Sequence, residues 1–234
     1  MDGNRQLSML RPCYTATVSV VISTYNRANL LDRCINSVLQ QSVKEWELII
    51  ADDGSSDHTY EVVNKYIALY PNIKYIKTTN VGQALARNTG LLLSTGEYVT
   101  FLDSDDTYKP EHLYSRIAFM QANPALDVIH GGIELNEDIL VPDYCNAGRM
   151  ISLKECIISG GLFGKRHVFL DLNGFNNQRY GEDTELWTRA SRKYNTLLIT
   201  EPETYIYTRA EYSVSKANTE LLQHTDITFI TPVN

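Results

Sequence analysis

Three carboxylates crowd into four positions at Asp103-Ser104-Asp105-Asp106, directly after the strand-forming run Tyr98-Val99-Thr100-Phe101-Leu102. Carboxylates this close repel one another unless positive charge sits among them. A hard divalent cation with oxygen ligands meets that need. The place fits as well, because ligands of open α/β sheets bind beyond the carboxyl ends of the strands. The plainer alternative is an acidic turn in which Asp106 caps the next helix. Two further strand ends are polar or acidic: Thr24-Tyr25-Asn26-Arg27 and Asp52-Asp53-Gly54-Ser55-Ser56-Asp57. In a parallel sheet all three ends share one rim. Each alone is an ordinary turn; together they set carboxylates against each other, which turn chemistry does not explain.

A nucleoside would use such a rim. It needs acceptors for ribose hydroxyls and base N–H groups and an aromatic face to stack on. Tyr25, Asp52 or Asp53, and Asp103 could supply these. A diphosphate needs a cation, since the acidic rim would repel it. Asp105, with Asp103, could hold Mg2+ or Mn2+. No G-x-x-x-x-G-K-[ST] occurs, and no G-x-G-x-x-G follows the first strand. Phosphates would therefore be held by metal and not by a glycine-rich loop.

The elements that position these residues alternate regularly. Val18–Ser23, Glu47–Ala51, Ile73–Lys77, Tyr98–Leu102 and Asp127–Ile133 read as strands, the first apolar nearly throughout, as expected when both faces are buried. Helical spacing of apolar residues follows each of the first four. The first helix starts at Asn29 as N-cap, the third spans Gly82–Ser94, and the fourth begins at Pro110 and runs to about Asn123. This order marks βαβ units and a mostly parallel, Rossmann-like sheet. No internal repeat or low-complexity segment is present. Residues 134 to 160 are irregular, with a short amphipathic helix near Ser152–Ile158. Helices are expected near Lys165–Leu172 and Thr184–Tyr194, then short strands at Thr196–Ile199 and Thr204–Tyr207. Residues 1–16 read as a lead-in, 17–212 as one domain with halves 17–133 and 134–212, and 213–234 as a tail.

With 43% apolar residues the chain can bury a sizeable core. A net charge of −7 without a basic stripe excludes a duplex nucleic-acid binder. Cys13, Cys34, Cys145 and Cys156 are scattered without a C-x-x-C pair, which fits a reducing compartment and excludes a zinc or disulfide framework. His58, His112, His130, His167 and His224 show no ligand spacing and read as ordinary turn or helix residues. The stretch with Asp2, Arg5 and Arg11 and no continuous apolar run does not read as a signal peptide, and no stretch of this sequence approaches the length of a membrane span. The expectation is a cytoplasmic protein, with peripheral contact at the inner membrane face if the acceptor is lipid-linked.

The ordered set Val18-Ser19-Val20-Val21-Ile22-Ser23-Thr24-Tyr25-Asn26-Arg27, Asp52-Asp53-Gly54-Ser55-Ser56-Asp57, Asn80-Val81-Gly82, Ala86-Arg87-Asn88-Thr89-Gly90, Gly96-Glu97-Tyr98 and Phe101-Leu102-Asp103-Ser104-Asp105-Asp106 resembles family 2 glycosyltransferases of the GT-A fold. Each motif is weak alone; the series, over about residues 17 to 210, is specific. The resemblance implies an α/β fold with an irregular C-terminal acceptor side, a nucleoside-diphosphate sugar donor and a glycan or lipid-linked acceptor. It also implies Mn2+ or Mg2+ at the DxD motif, inversion at the anomeric carbon, and a role in cell-surface polysaccharide or glycan synthesis. By the family pattern Thr24, Tyr25, Asp52 and Asp53 hold base and ribose, and Gly82, Arg87, Ser104 and Arg209 complete nucleotide-sugar binding. Asp103 meets ribose or metal, and Asp105 is the main metal ligand.

The family also places its catalytic base in an acidic pair opening a helix, which makes Asp183 of Gly181-Glu182-Asp183-Thr184 the base. On the residues alone, that pair reads as first-turn helix charge. Glu182, Trp187 and Phe175 are candidates for the acceptor side, with core packing the alternative for the two aromatics. The chain departs from the family at Tyr205-Ile206-Tyr207-Thr208-Arg209, where a histidine often follows and is missing here. Two rival functions are an inactive nucleotide-sugar-binding module and a sugar-nucleotide pyrophosphorylase. The latter would need a basic, glycine-rich loop where Thr24-Tyr25-Asn26-Arg27 stands.

Overall fold

A computed structural model describes residues 16–146, 148–178 and 180–208. Arg209, the 213–234 tail and nearly all of the 1–16 lead-in lie outside the described residues.

The architecture is an α/β fold around a seven-stranded sheet in the order β11-β6-β10-β4-β1-β2-β3. Its first half alternates as the apolar pattern dictates. The elements are β1 (Val18–Thr24), α1 (Ala28–Leu39), β2 (Trp46–Asp52), α2 (Thr59–Ile67), β3 (Ile73–Lys77), α3 (Gln83–Leu93) and β4 (Tyr98–Asp103). These four strands run parallel. Both faces of β1 are buried, so its side chains feed two cores. Val18, Val20 and Ile22 pack with Leu31, Ile35 and Val38 of α1, whereas Val21 packs with Leu91 of α3 and with Phe101. The register sets Thr24 opposite Asp52 and Ser23 opposite Asp103, which brings the three strand ends to one level.

The second half holds β5 (Thr107–Tyr108), α4 (His112–Ala122), β6 (Val128–Gly131), β7 (Ile133–Leu135), β8 (Leu140–Pro142) and β9 (Met150–Ser152). Then come β10 (Leu162–Lys165), α5 (Arg166–Asp171), α6 (Glu182–Lys193), β11 (Thr196–Ile199) and β12 (Tyr205–Tyr207). Strand β10 inserts antiparallel between β4 and β6, and β11 adds parallel to β6 at the edge. A small sheet β5-β12-β7 and the hairpin β8-β9 stand beside the main sheet.

Several elements differ from the sequence expectation. The strand expected over 127–133 is two strands in different sheets, broken where Gly131 (φ +124°) and Gly132 (φ +65°) take positive-φ conformations that favour glycine. The expected helix over 152–158 is a single 3-10 turn at Leu153–Glu155, after which Ile158 is extended (φ −124°, ψ 147°). Leu162–Lys165, where no strand is expected, forms β10, so the helix expected from Lys165 begins at Arg166. Asn29 does not cap α1; the first turn is held from outside, where Ala28 N–H donates to Asp57 at 3.1 Å. Helix α4 starts two residues after Pro110, at His112. No helix among the described residues is long and apolar enough to cross a membrane.

Helix α3 sits close on β1. A Cβ added at Gly90 would stand 2.3 Å from Val21 Cγ1. Gly90→Ala is therefore expected to lower unfolding stability by about 1–3 kcal/mol, as overpacking does, read as a drop in the urea midpoint. An unchanged midpoint would show that α3 can lift from the sheet freely.

Candidate active site

The strand ends open into a cleft of about 1070 Å³. One wall is the sheet rim, with Ser23, Thr24, Tyr25, Arg27, Asp53, Asp103, Ser104 and Asp105. The other is built by Pro142, Tyr144 and Ile151 of the β8-β9 hairpin, by Ile157 and Ile158, and by Tyr180, Glu182 and Asp183. Ser23 Oγ and Thr24 Oγ1 are buried with no hydrogen-bond partner among the described residues. Such groups are costly unless something else binds them. Tyr25 stands 47% exposed at the rim with its ring available.

Asp52, the last residue of β2, and Asp53 just beyond it diverge because successive side chains of extended backbone alternate in direction. Asp52 turns away from the cleft and accepts Ser55 N–H at 2.8 Å and the Tyr75 hydroxyl. It holds its own turn and does not line the cleft, so of the two aspartates expected at base or ribose only Asp53 faces it. Asp53 lines the cleft while accepting the amides of Val81 (2.7 Å) and Gly82 (2.9 Å). Gly82, at φ +99°, thus serves through its backbone and does not line the cleft.

The acidic loop divides its labour. Asp103 accepts from Arg87 at 2.8 Å and Gln83 at 3.2 Å, with Ser159 Oγ at 3.4 Å. Asp105 pairs with Arg27 at 3.0 Å. Burial, and then the Asp103 charge, hold the Asp105 carboxyl above the usual carboxylate range. Asp106 caps no helix. It is buried beneath the loop, where it accepts Tyr205 O–H and, at 2.6 Å, Thr208 N–H.

Across the cleft, α6 opens after Gly181 in left-handed conformation (φ +75°) and carries Glu182 and Asp183 in its first turn. Asp183 accepts Ser159 N–H at 2.8 Å. Burial and then the Glu182 charge push its carboxyl up to about 8, against the opposing pull of Arg87. Arg87 spans the two walls, donating to Asp103 at 2.8 Å and to Glu182 at 2.9 Å. Burial alone would lower its pKa, but Asp103, Asp183 and Glu182 outweigh that and raise it. Phe175 lies under this guanidinium, 5.4 Å from ring centre to Cζ, and packs edge-on against Phe101 in the core. Trp187 packs against the same core and meets His130. Neither aromatic lines the cleft: Phe175 is buried in the core, and Trp187 packs half-buried against it. Glu182 does line it.

Arg27, Ser159, Tyr144 and Tyr180 belong to the site without having been singled out. Arg27 stands in the first strand-end motif, and the need of the acidic loop for positive charge is the signal that could have found it. Tyr144 and Tyr180 reach the cleft, and buried Ser159 reaches Asp103 and Asp183 behind it, only through tertiary packing. Among the described residues no group of three or more His, Cys, Asp or Glu could hold a metal. Two carboxylates at Asp103 and Asp105 nonetheless suit Mg2+ or Mn2+, which bind through one or two carboxylates plus substrate phosphates.

The family described as Glycosyl transferase family 2 matches residues 19–143, more than half of the chain. Glycosyltransferase GlyA of Streptococcus pneumoniae serotype 4 is 28% identical over 227 residues, spanning 88% of this chain and 32% of that protein. The crystal structure of S. aureus TarS 1-349 in complex with UDP-GlcNAc superposes with TM-score 0.69 at 23% identity, over 91% of this chain and 68% of that one. The mannosyltransferase PcManGT from Pyrobaculum calidifontis, in complex with GDP-Man and Mn2+, gives 0.68 at 22% identity, over 87% and 60%. At such identities the two structures show the shared GT-A-type fold. The chain spans about a third of the length of the first curated relatives it matches, which are 35%, 32% and 33% covered. Since the matched segment runs from β1 through the acidic loop to the cleft-facing hairpin, the chain is a member of glycosyl transferase family 2.

Proposed function

We propose that the protein transfers a sugar from a nucleoside diphosphate to an acceptor hydroxyl with inversion, in the assembly of a cell-surface polysaccharide or related glycan. One observation carries this reading. Asp103 and Asp105 stand at the end of β4, Asp183 stands on the opposite wall of the same cleft, and Arg87 ties the walls together. The family membership supports a nucleotide-sugar donor, and relatives crystallised with UDP-GlcNAc and with GDP-Man and Mn2+ support its chemical class.

In this reading Tyr25 offers its ring to the base, and the free hydroxyls of Ser23 and Thr24, with Asp53, face the nucleoside. Asp105 and Asp103 would hold Mg2+ or Mn2+, whose charge offsets that of a departing diphosphate. The acceptor hydroxyl attacks the anomeric carbon as the bond to the diphosphate oxygen breaks on the opposite side. Its proton passes to Asp183, and the nucleoside diphosphate leaves. A base whose pKa lies near the working pH is suited to that transfer. The apolar wall of Pro142, Tyr144, Ile151 and Tyr180 would hold the acceptor, with Glu182 at its edge.

Asp183→Asn keeps shape and removes the base. Nucleotide release dependent on acceptor should fall by about two to four orders of magnitude, while binding of UDP with Mn2+ is retained. Full activity in this variant would overturn the assignment; binding without turnover in the wild type would instead fit a binding module. The raised Asp183 pKa has a signed consequence. Only the ionised form accepts a proton, so transfer should rise with pH along a limb above the usual carboxylate range. Glu182→Gln removes the like charge, lowers the Asp183 pKa and should move that limb to lower pH. A limb unmoved or shifted to higher pH would contradict the electrostatic reading.

A further inference from the structure

Ile158 and Ser159 present successive backbone amides to two different elements. Ile158 N–H donates to Nε2 of His130 at 3.1 Å, and Ser159 N–H donates to Asp183 at 2.8 Å. The peptide between them is thus clamped on both sides. His130 itself is fixed. It is 4% exposed, and β6 pairs it with Leu162 of β10 and Leu198 of β11 in the main sheet. Because burial lowers its pKa to about 4, the imidazole is neutral at working pH and Nε2 offers a lone pair.

The same imidazole touches the base's own helix. Its ring lies edge-on to Trp187, with centroids 5.9 Å apart. Trp187 stands four residues after Asp183 in α6, one turn along the same face. The contacts therefore close into a ring: His130 to Ile158, along the peptide to Ser159, across to Asp183, down one turn of α6 to Trp187, and back to His130. The connecting chain has no slack. A Cβ at Gly161 would come within 2.5 Å of His130 Nε2, and one at Gly160 within 2.0 Å of the Tyr205 ring.

Resting on the reading of Asp183 as the base, we propose that His130 is a positioning residue that sets the place of the Asp183 carboxylate. It does so by gripping the Ile158–Ser159 peptide on one side and Trp187 on the other. It touches neither donor nor acceptor, since it does not line the cleft.

The test separates acceptance of a hydrogen bond from mere bulk. His130→Leu fills space but leaves Ile158 N–H without an acceptor, whereas the amide oxygen of His130→Gln can reach the place of Nε2. Steady-state transfer is measured with the UDP- or GDP-sugar on which the wild type turns over, and UDP with Mn2+ serves as the binding probe. His130→Leu should lower kcat roughly ten- to a hundredfold, as a small misplacement of a catalytic group does, with donor KM and UDP affinity unchanged. His130→Gln should restore most of that loss. Wild-type kcat in His130→Leu, equal losses in both variants, or a loss matched by weaker UDP binding would each overturn the proposal. If the leucine variant fails to fold, Trp187→Leu on the opposite contact decides by the same split between kcat and KM. Asp183→Asn run alongside keeps the two readings apart. If it retains activity the base assignment fails, and if it alone is inactive only the role of His130 fails.

Discussion

The buried guanidinium of Arg87 is the contact on which the cleft depends. It donates to Asp103 on the sheet rim and to Glu182 at the head of α6, which lies 95 positions from Arg87 in sequence, so one cation joins the two walls. Asp103, Glu182 and Asp183 would repel one another across a desolvated gap without it. Breaking a buried pair of this kind costs about 3–5 kcal/mol, because the remaining charges stay buried and uncompensated. The position of Arg87 depends in turn on α3, which can approach β1 closely because residue 90 is glycine. Phe175 fills the space under the guanidinium, and its burial makes it part of this support.

The acidic loop is fastened from below as well. Tyr205 of β12 donates to Asp106, and its ring leaves no room for a side chain at Gly160. The small sheet thereby fixes both the loop after β4 and the turn before β10. That turn carries Ser159, which reaches Asp183 with its amide and Asp103 with its hydroxyl at a longer 3.4 Å. The antiparallel insertion of β10 is what delivers this turn over the end of β4. The topology, in short, connects the two carboxylate walls twice: through Arg87 and through residues 158–161.

The alternation of apolar strands and amphipathic helices made β1 to β4 and α1 to α4 legible, because burial on both sides leaves a strong periodic signal. The rim carboxylates were legible for the same reason, as strand ends are where the apolar pattern stops. Direction was harder. Asp52 and Asp53 are neighbours of identical type, and only the pleat decides which one faces the cleft. Strand β10 escaped notice because Leu162-Phe163-Gly164-Lys165 is short and its pairing with β4 and β6 is entirely long-range. Trp187 and Phe175 carried two readings, acceptor contact and core packing; Phe175 is buried in the core and Trp187 packs half-buried against it. His130 looked ordinary because its partners, Ile158 and Trp187, are 28 and 57 positions away. The Asp183 assignment came from resemblance, since Glu182-Asp183 alone reads as helix-end charge.

The central claim is that the Asp103–Asp105 rim binds a nucleoside diphosphate through a divalent cation. Calorimetric titration of UDP and of GDP, with and without Mn2+, into the wild type and Asp105→Asn tests it most directly. The account predicts that Mn2+ strengthens binding of at least one nucleotide to the wild type by about tenfold or more, as a lost coordinating contact of roughly 1.4 kcal/mol would, and that the variant loses this dependence. Equal affinity with and without Mn2+ in the wild type, or an undiminished Mn2+ effect in Asp105→Asn, would contradict it.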